Sequence, residues 1–155
     1  MEYSIRQVMP WDKGAWDQVV TLLTGEGITL DQNLDYTAAV YNPSGVMVAT
    51  GSCFKNTLRC LAVNSKLRGE GLLNLLVSHL RNVLAEQAVF DVFLYTKYDA
   101  AKYFRDLGFY TLATVDRAVV FMENSATAFK EYLNSLKVGL RESKRVAAIV
   151  MNANP

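Results

Sequence analysis

Hydrophobic positions change their spacing several times along the chain, and each change marks an element. Tyr3–Val8 opens with the alternation of a half-buried strand. Over Trp11–Leu23, Trp16, Val19, Val20 and Leu23 fall at i, i+3, i+4 and i+7, the stripe of an amphipathic helix, and Gly25-Glu26-Gly27 ends it. Trp11 and Trp16 read as core and edge anchors. Ile28–Asp35 fits a short helix or a loop. Tyr36–Tyr41 and Val46–Phe54 are apolar runs flanking Asn42-Pro43-Ser44-Gly45, a hairpin turn signal, and Leu58–Val63 extends the meander. From Gly71 to Ala88 the spacing is helical again, with Leu72, Leu76, Leu80 and Val83 on one face. Phe90–Tyr95 reads as a short strand. Asp99 is placed to cap a helix running to Leu107, with Ala100, Tyr103, Phe104 and Leu107 inward and Gly108 as its stop. Phe109–Val115 and Ala118–Met122 are two strands joined at Asp116-Arg117. Ser125–Lys137 carries a last helical stripe, Arg141–Arg145 a basic linker, and Val146–Met151 one more apolar strand.

This order predicts an α/β chain built on a mixed, mostly antiparallel sheet with helices on both faces. The strand–loop–helix–strand unit beginning at Leu58 is most simply a parallel crossover. At 155 residues one compact domain is the default. Half the residues are hydrophobic and a fifth charged, which suits an ordinary globular core. A net charge of +1 gives no reason to expect nucleic-acid binding. No apolar run approaches the roughly 20 residues of a membrane span, and Met1-Glu2-Tyr3 lacks the features of a signal peptide. A cytoplasmic location is expected. Cys53 and Cys60 lie in neighbouring strand runs, within reach of a hairpin bridge but read as buried reduced thiols; no cysteine–histidine cluster has metal-ligand spacing.

The candidate chemistry sits in Asn64-Ser65-Lys66-Leu67-Arg68-Gly69-Glu70-Gly71. A tight loop between a strand and a helix N-terminus can aim several backbone N–H groups at one point, where the helix dipole adds positive character. Glycine lets the backbone approach a ligand, and Arg68 adds a charge-assisted fork for an oxyanion. The loop therefore suggests a phosphate or pyrophosphate cradle, although glycines also simply close such turns. It is neither a dinucleotide fingerprint, since Asn74 stands where a third glycine is expected, nor a Walker loop. His79, the single histidine, reads as structural, with no evident partner. Tyr95, Thr96, Lys97 and Asp99 are candidates for the edge of a site, and Lys97, Lys102 and Arg105 either contact phosphate or form a solvated face.

In Leu61-Ala62-Val63, Lys66-Leu67-Arg68-Gly69-Glu70-Gly71 and Tyr103-Phe104-Arg105-Asp106-Leu107-Gly108-Phe109, the chain resembles the GNAT superfamily of N-acetyltransferases, over about residues 3–122. That resemblance implies an acyl-CoA site: CoA or acetyl-CoA with its pantetheine arm along Leu61, Ala62 and Val63, and its pyrophosphate among Arg68, Gly69, Gly71, Leu72 and Leu73, with Glu70 of the same loop at the cofactor site but read as solvent-exposed rather than catalytic. It extends the site to Asp99 and Phe104. Lys66 stands where the family usually has glutamine or arginine, and Phe104 where many members have a tyrosine acid. Tyr103 is the nearby candidate catalytic residue, about 100° round the helix from Phe104.

Arg68-Gly69-Glu70-Gly71-Leu72, Val92–Lys97, Gly108-Phe109-Tyr110, Met122-Glu123-Asn124-Ser125 and Ile149–Pro155 also resemble the citrate lyase ligase family. This implies a GNAT-like domain at residues 1–124, a closing helix and linker at 125–145, and the start of a nucleotidyltransferase domain at 146–155. The implied ligand is CoA, acetyl-CoA or the dephospho-CoA-derived prosthetic group of the citrate lyase acyl carrier subunit. The full enzyme uses ATP and acetate to acetylate that thiol, with ATP held by a C-terminal domain not contained here. Without its native sheet, the strand at 146–151 is expected to be mobile, to pair with an edge of this domain, or to join a second copy in a homodimer. Two alternatives are a non-catalytic module that docks the carrier protein and a stand-alone small-molecule N-acetyltransferase.

Overall fold

The computed structural model describes residues 2–125, so the expectations for the stripe beyond Ser125, the linker and the strand at 146–151 lie outside the described residues. Twelve elements follow one another: β1 (Ser4–Gln7), α1 (Lys13–Gly25), β2 (Tyr36–Tyr41), β3 (Met47–Phe54), β4 (Thr57–Val63), a 3₁₀ turn (Ser65–Leu67), α2 (Leu72–Glu86), β5 (Phe93–Lys97), a second 3₁₀ turn (Tyr98–Ala100), α3 (Ala101–Asp106), β6 (Tyr110–Val115) and β7 (Val119–Glu123). The seven strands form one mixed sheet in the order β1-β2-β3-β4-β5-β7-β6. Among the described strands only β4 and β5 pair in parallel, as the crossover through α2 requires. No helix among the described residues is long and apolar enough to cross a membrane.

The two faces of the sheet are covered by different helices. α2 buries Leu72, Leu76, Val77, Leu80 and Leu84 against Ala38, Val40, Val48 and Ala49. α1 buries Val19 and Leu23 on the opposite face, over Ala39, Tyr41, Met47 and Ala62. Strands β2 and β3 lie between the helices, so their alternation is hidden and both read as near-continuous buried runs.

Local chemistry sets the boundaries. The Asp12 carboxylate caps α1 by accepting from the Ala15 N–H at 3.3 Å. Asn42 Oδ1 accepts from the N–H groups of Ser44 and Val46 and closes the β2–β3 hairpin. Asp116 and Arg117 both take positive φ, 49° and 53°, the mirror-image two-residue turn that matches the twist of β6 and β7. The three helices of the described residues end in the same reversal, with left-handed residues at Gly27, Ala88 and Gly108.

Several expectations are corrected. Trp11 is no anchor: it precedes α1 and is 78% exposed, while Trp16 packs against the smaller core cluster. Val20 points outward, and Leu22 takes its place at the edge of that cluster. On α2, Leu84 rather than Val83 completes the buried face. Ile28–Asp35 is a loop, one of the two readings its sequence allows. β5 starts three residues late, at Phe93, with Phe90 67% exposed. Here the Asn124 side chain fixes the approach, accepting from the Val92 N–H at 3.0 Å and donating to the Phe90 carbonyl at 2.9 Å. The cysteines are reduced, as read from the sequence, and do not face each other, but only Cys53 is buried while Cys60 is half-buried. Cys53 pairs with Leu58 across β3 and β4, and both thiols are free.

Candidate functional site

β4 and β5 are joined only at their roots, through Thr57↔Phe93 and Leu58↔Leu94. Beyond that point β4 stays with β3 and β5 stays with β7. A bulge begins the divergence: Ser52 pairs with Arg59 and Thr50 with Ala62, leaving Cys60 and Leu61 opposite Gly51 alone. Cys60 takes φ 52° there. The extra residue bends β4, as bulges do. It also lays Leu61 over Gly51, where a β-carbon would come 2.5 Å from Leu61 Cδ2 and 3.0 Å from both Leu76 and Leu80.

The gap between the strands is a cavity of about 760 Å³. Leu61, Ala62 and Val63 line it from β4, and Tyr95, Thr96 and Lys97 from β5. Arg68, Gly69, Gly71, Leu72 and Leu73 line its open end. Gly69 and Gly71 have φ of 90° and 78°, and a β-carbon on either would meet nothing within 4 Å. Glycine is therefore set here by backbone conformation, and the space in front of it is open. Gly71 is also the N-cap of α2, where no side chain caps the helix. The orphan N–H groups of that first turn are thus available to a ligand.

α3 forms the remaining wall. Phe104 is 5% exposed and packs edge-to-face on Phe109 at 6.2 Å, while Tyr103, expected inward, lies at the mouth 43% exposed with the Lys102 ammonium 5.1 Å from its ring centre. Both line the cavity, but Phe104 offers no proton. Asp99 does not cap the helix. It sits in the preceding 3₁₀ turn, Ala100 occupies the N-cap, and no side-chain cap forms, so the Asp99 carboxylate is left to line the cavity. Lys102 lines the cavity too, whereas Arg105 does not.

Glu70 departs from its expected place. Its Oε2 accepts the Tyr3 hydroxyl at 2.6 Å, and it is not among the lining residues. That bond, with the nearby carboxylate charge, raises the Tyr3 pKa above its ordinary value.

Several lining residues, Ile28, Asn74 and Val119 among them, escaped the sequence, and the charged one of most consequence is Glu26. The reversal ending α1 donates the N–H groups of Glu26 and Ile28 to the Leu23 carbonyl and that of Gly27 to the Thr24 carbonyl, which sets Glu26 at the rim. Glu26 Oε1 lies 3.7 Å from Arg68 Nη2, and Lys97 Nζ donates to the Glu26 carbonyl at 3.3 Å. The Gly-Glu-Gly stop signal told where the helix ends but not what the end meets.

Cys60 also lines the cavity. Its sulfur accepts from the Asp31 N–H and donates to the Thr29 carbonyl, and burial raises its pKa, so the thiol anchors the segment before β2 and is a poor nucleophile. His79 lies off the cavity, with Nε2 2.7 Å from the Tyr36 hydroxyl, a partner 43 positions away. Burial lowers its pKa, against a smaller upward pull from Glu86.

Known structures share this architecture at low sequence identity. A GNAT-family acetyltransferase from Staphylococcus aureus Mu50 matches with a TM-score of 0.60 and 15% identity, over 79% of this chain and 98% of that one. N-acetylglutamate synthase from Neisseria gonorrhoeae, complexed with coenzyme A and N-acetyl-glutamate, matches with a TM-score of 0.63 and 16% identity, over 79% of this chain and 35% of that one. Curated relatives are closer in sequence. [Citrate [pro-3S]-lyase] ligase of Escherichia coli K12 is 40% identical over 109 residues, 70% of this chain. The Haemophilus influenzae enzyme of the same name is 31% identical over 137 residues, 88% of this chain. The chain is a GNAT-fold relative of the citrate lyase ligases. This GNAT-fold chain spans 31% of the length of the first ligase and 41% of the second. No family profile matches it.

Proposed function

We propose that this acetyltransferase-like domain binds CoA, acetyl-CoA or the dephospho-CoA-derived prosthetic group of an acyl carrier subunit, as the N-terminal part of a citrate lyase ligase. The supporting observation is the divergence of β4 from β5 with an uncapped, glycine-led helix at the open end. The edge of β4 that leaves β5 offers backbone N–H and C=O groups to an extended amide-bearing arm. Arg68 and the first-turn N–H groups of α2 hold the pyrophosphate. Leu61, Ala62 and Val63 flank the arm, with Leu72, Leu73 and Phe104 as apolar walls. When bound, the thioester supplies the activated acyl group. On this reading residues 1–124 form the binding domain and 146–155 begin the nucleotidyltransferase domain. The full enzyme uses ATP and acetate to acetylate the carrier thiol, with ATP bound outside this chain.

Calorimetric titration with CoA, acetyl-CoA and dephospho-CoA tests the reading. Binding of at least one is expected, and no heat from any of them at millimolar concentration would overturn it. Phe104 favours a second reading, a module that presents the carrier protein and does no chemistry, because a general acid is typically worth about 10²–10⁴-fold. That reading expects little turnover with common amines. Efficient turnover that survives Tyr103→Phe would favour a stand-alone N-acetyltransferase with another proton donor.

A further inference from the structure

Glu26 is placed where a carboxylate is poorly accommodated. It sits at the C-terminal end of α1, where the helix dipole disfavours negative charge. Its Oε1 is out of solvent and accepts no hydrogen bond from any described residue. Its counter-charge is Arg68, whose side chain is 59% exposed while that of Glu26 is 18% exposed. At 3.7 Å the pair is charge contact without a hydrogen bond. Its backbone is nevertheless held firmly, by the helix reversal on one side and by Lys97 on the other. Residue 26 thus spans the mouth of the cleft, from the loop that follows β4 to the end of β5.

We propose that Glu26 is a built-in stand-in for the ligand's phosphate: in the empty cleft it occupies Arg68, and a ligand must displace it to engage that guanidinium. This rests on reading the loop as a phosphate cradle. The exchange sets a threshold. A pyrophosphate brings more than one negative charge and further oxygens for the orphan N–H groups of α2, so it outcompetes a single carboxylate whose oxygen lacks a donor. A ligand without phosphate gains nothing at Arg68 and leaves the pair intact. Lys97 lines the same cavity and already holds the Glu26 carbonyl, so it is the cation that receives the released carboxylate. Glu26 is thereby a specificity-determining residue, selecting phosphate-bearing ligands over their phosphate-free counterparts.

Titrations of CoA and of pantetheine into the wild-type chain, Glu26→Gln, Arg68→Ala and the double variant test this. Removing the internal competitor should tighten CoA binding about two- to fivefold, the range of a partly exposed ion pair. Pantetheine affinity should stay unchanged. In the Arg68→Ala background the second change should have no effect on CoA. Glu26→Ala serves as a second variant if Glu26→Gln fails to fold, which its circular dichroism spectrum reports. Equal or weaker CoA binding by the Glu26 variants, with wild-type binding intact, overturns the stand-in and leaves the cradle standing. A gain that persists without Arg68, or that extends to pantetheine, also overturns it. No CoA binding by any variant overturns the cradle and the stand-in together.

Discussion

The two halves of the sheet are built to different standards. In the first, β2 and β3 are buried almost throughout, between α2 and α1, and β1 to β4 pair along their lengths. In the second, β6 is exposed at five of its six positions. Between them lie only the pairs Thr57↔Phe93 and Leu58↔Leu94. The first half carries the two-sided burial, while the second joins the same core from one side through Leu94, Val120 and Met122, and the short seam between them opens the cleft.

The sharpest way to break this comparison is at the seam itself. Leu58 and Leu94 are fully buried at the root of the cleft. Leu58→Ala should cost about 2–5 kcal/mol, the range for a buried leucine, measured by urea denaturation. Both tryptophans lie in the first half, so their fluorescence reports it while circular dichroism reports the whole. Separate transitions by the two probes would show the halves parting, and coincident ones would make them a single cooperative unit.

Arg68→Ala should do the opposite, lowering CoA affinity about 10- to 100-fold, equivalent to the roughly 1.5–3 kcal/mol of a charge-assisted contact, while leaving the urea midpoint in place. A shifted midpoint with unchanged affinity would return Arg68 to the scaffold. Gly51→Ala should touch both properties. Overpacking costs about 1–3 kcal/mol, and Leu61, the one half-buried leucine among the three, is displaced into the cleft. A lower melting temperature together with weaker CoA binding is expected, and lost stability with full affinity would show that Leu61 yields elsewhere.

The smallest effects are those of pH, for which the first half holds the groups. The lowered pKa of His79 means that the unfolded chain binds more protons in acid. Its contribution is present above about pH 6.5, the ordinary histidine value, and fades as pH falls through the lower folded value. Tyr36→Phe, which removes the partner hydroxyl, should alter this acid limb of the melting curve. Cys53 runs the other way, pushed up to about 12 by burial and, to a smaller degree, by Asp35. Its contribution holds below the ordinary thiol range and fades as pH rises toward 12. Native Cys53 should resist thiol reagents near pH 8 and react on unfolding; prompt reaction in the folded chain would contradict its burial.

Features written in consecutive residues were legible. Asn42-Pro43-Ser44-Gly45 marked its hairpin, and the glycines at 69 and 71 marked the left-handed loop at the open end of the cleft, because turn chemistry and φ preference act within a few positions. Contacts made across the fold were not. Glu70 looked like part of the cradle until Tyr3 took its carboxylate from 67 positions away. Glu26 entered the site from the end of a helix whose own sequence speaks only of stopping. The Tyr36–His79 pair and the Leu61–Gly51 contact likewise depend on sheet register, which periodicity does not specify. Asp99 failed as a cap for a subtler reason: the 3₁₀ turn moves the start of α3 to Ala101.

The reversal at the end of α2 differs from the other two in its residue, and this bears on how the protein tolerates change. Gly27 and Gly108 take left-handed backbone without steric cost, but Ala88 holds φ 61°. An L-residue there sacrifices about 1–2 kcal/mol. The chain therefore carries an uncorrected local defect far from its cleft, and Ala88→Gly would enlarge its mutational reserve. A background strengthened in that way would let damaging substitutions in the binding walls be studied without collapse of the fold.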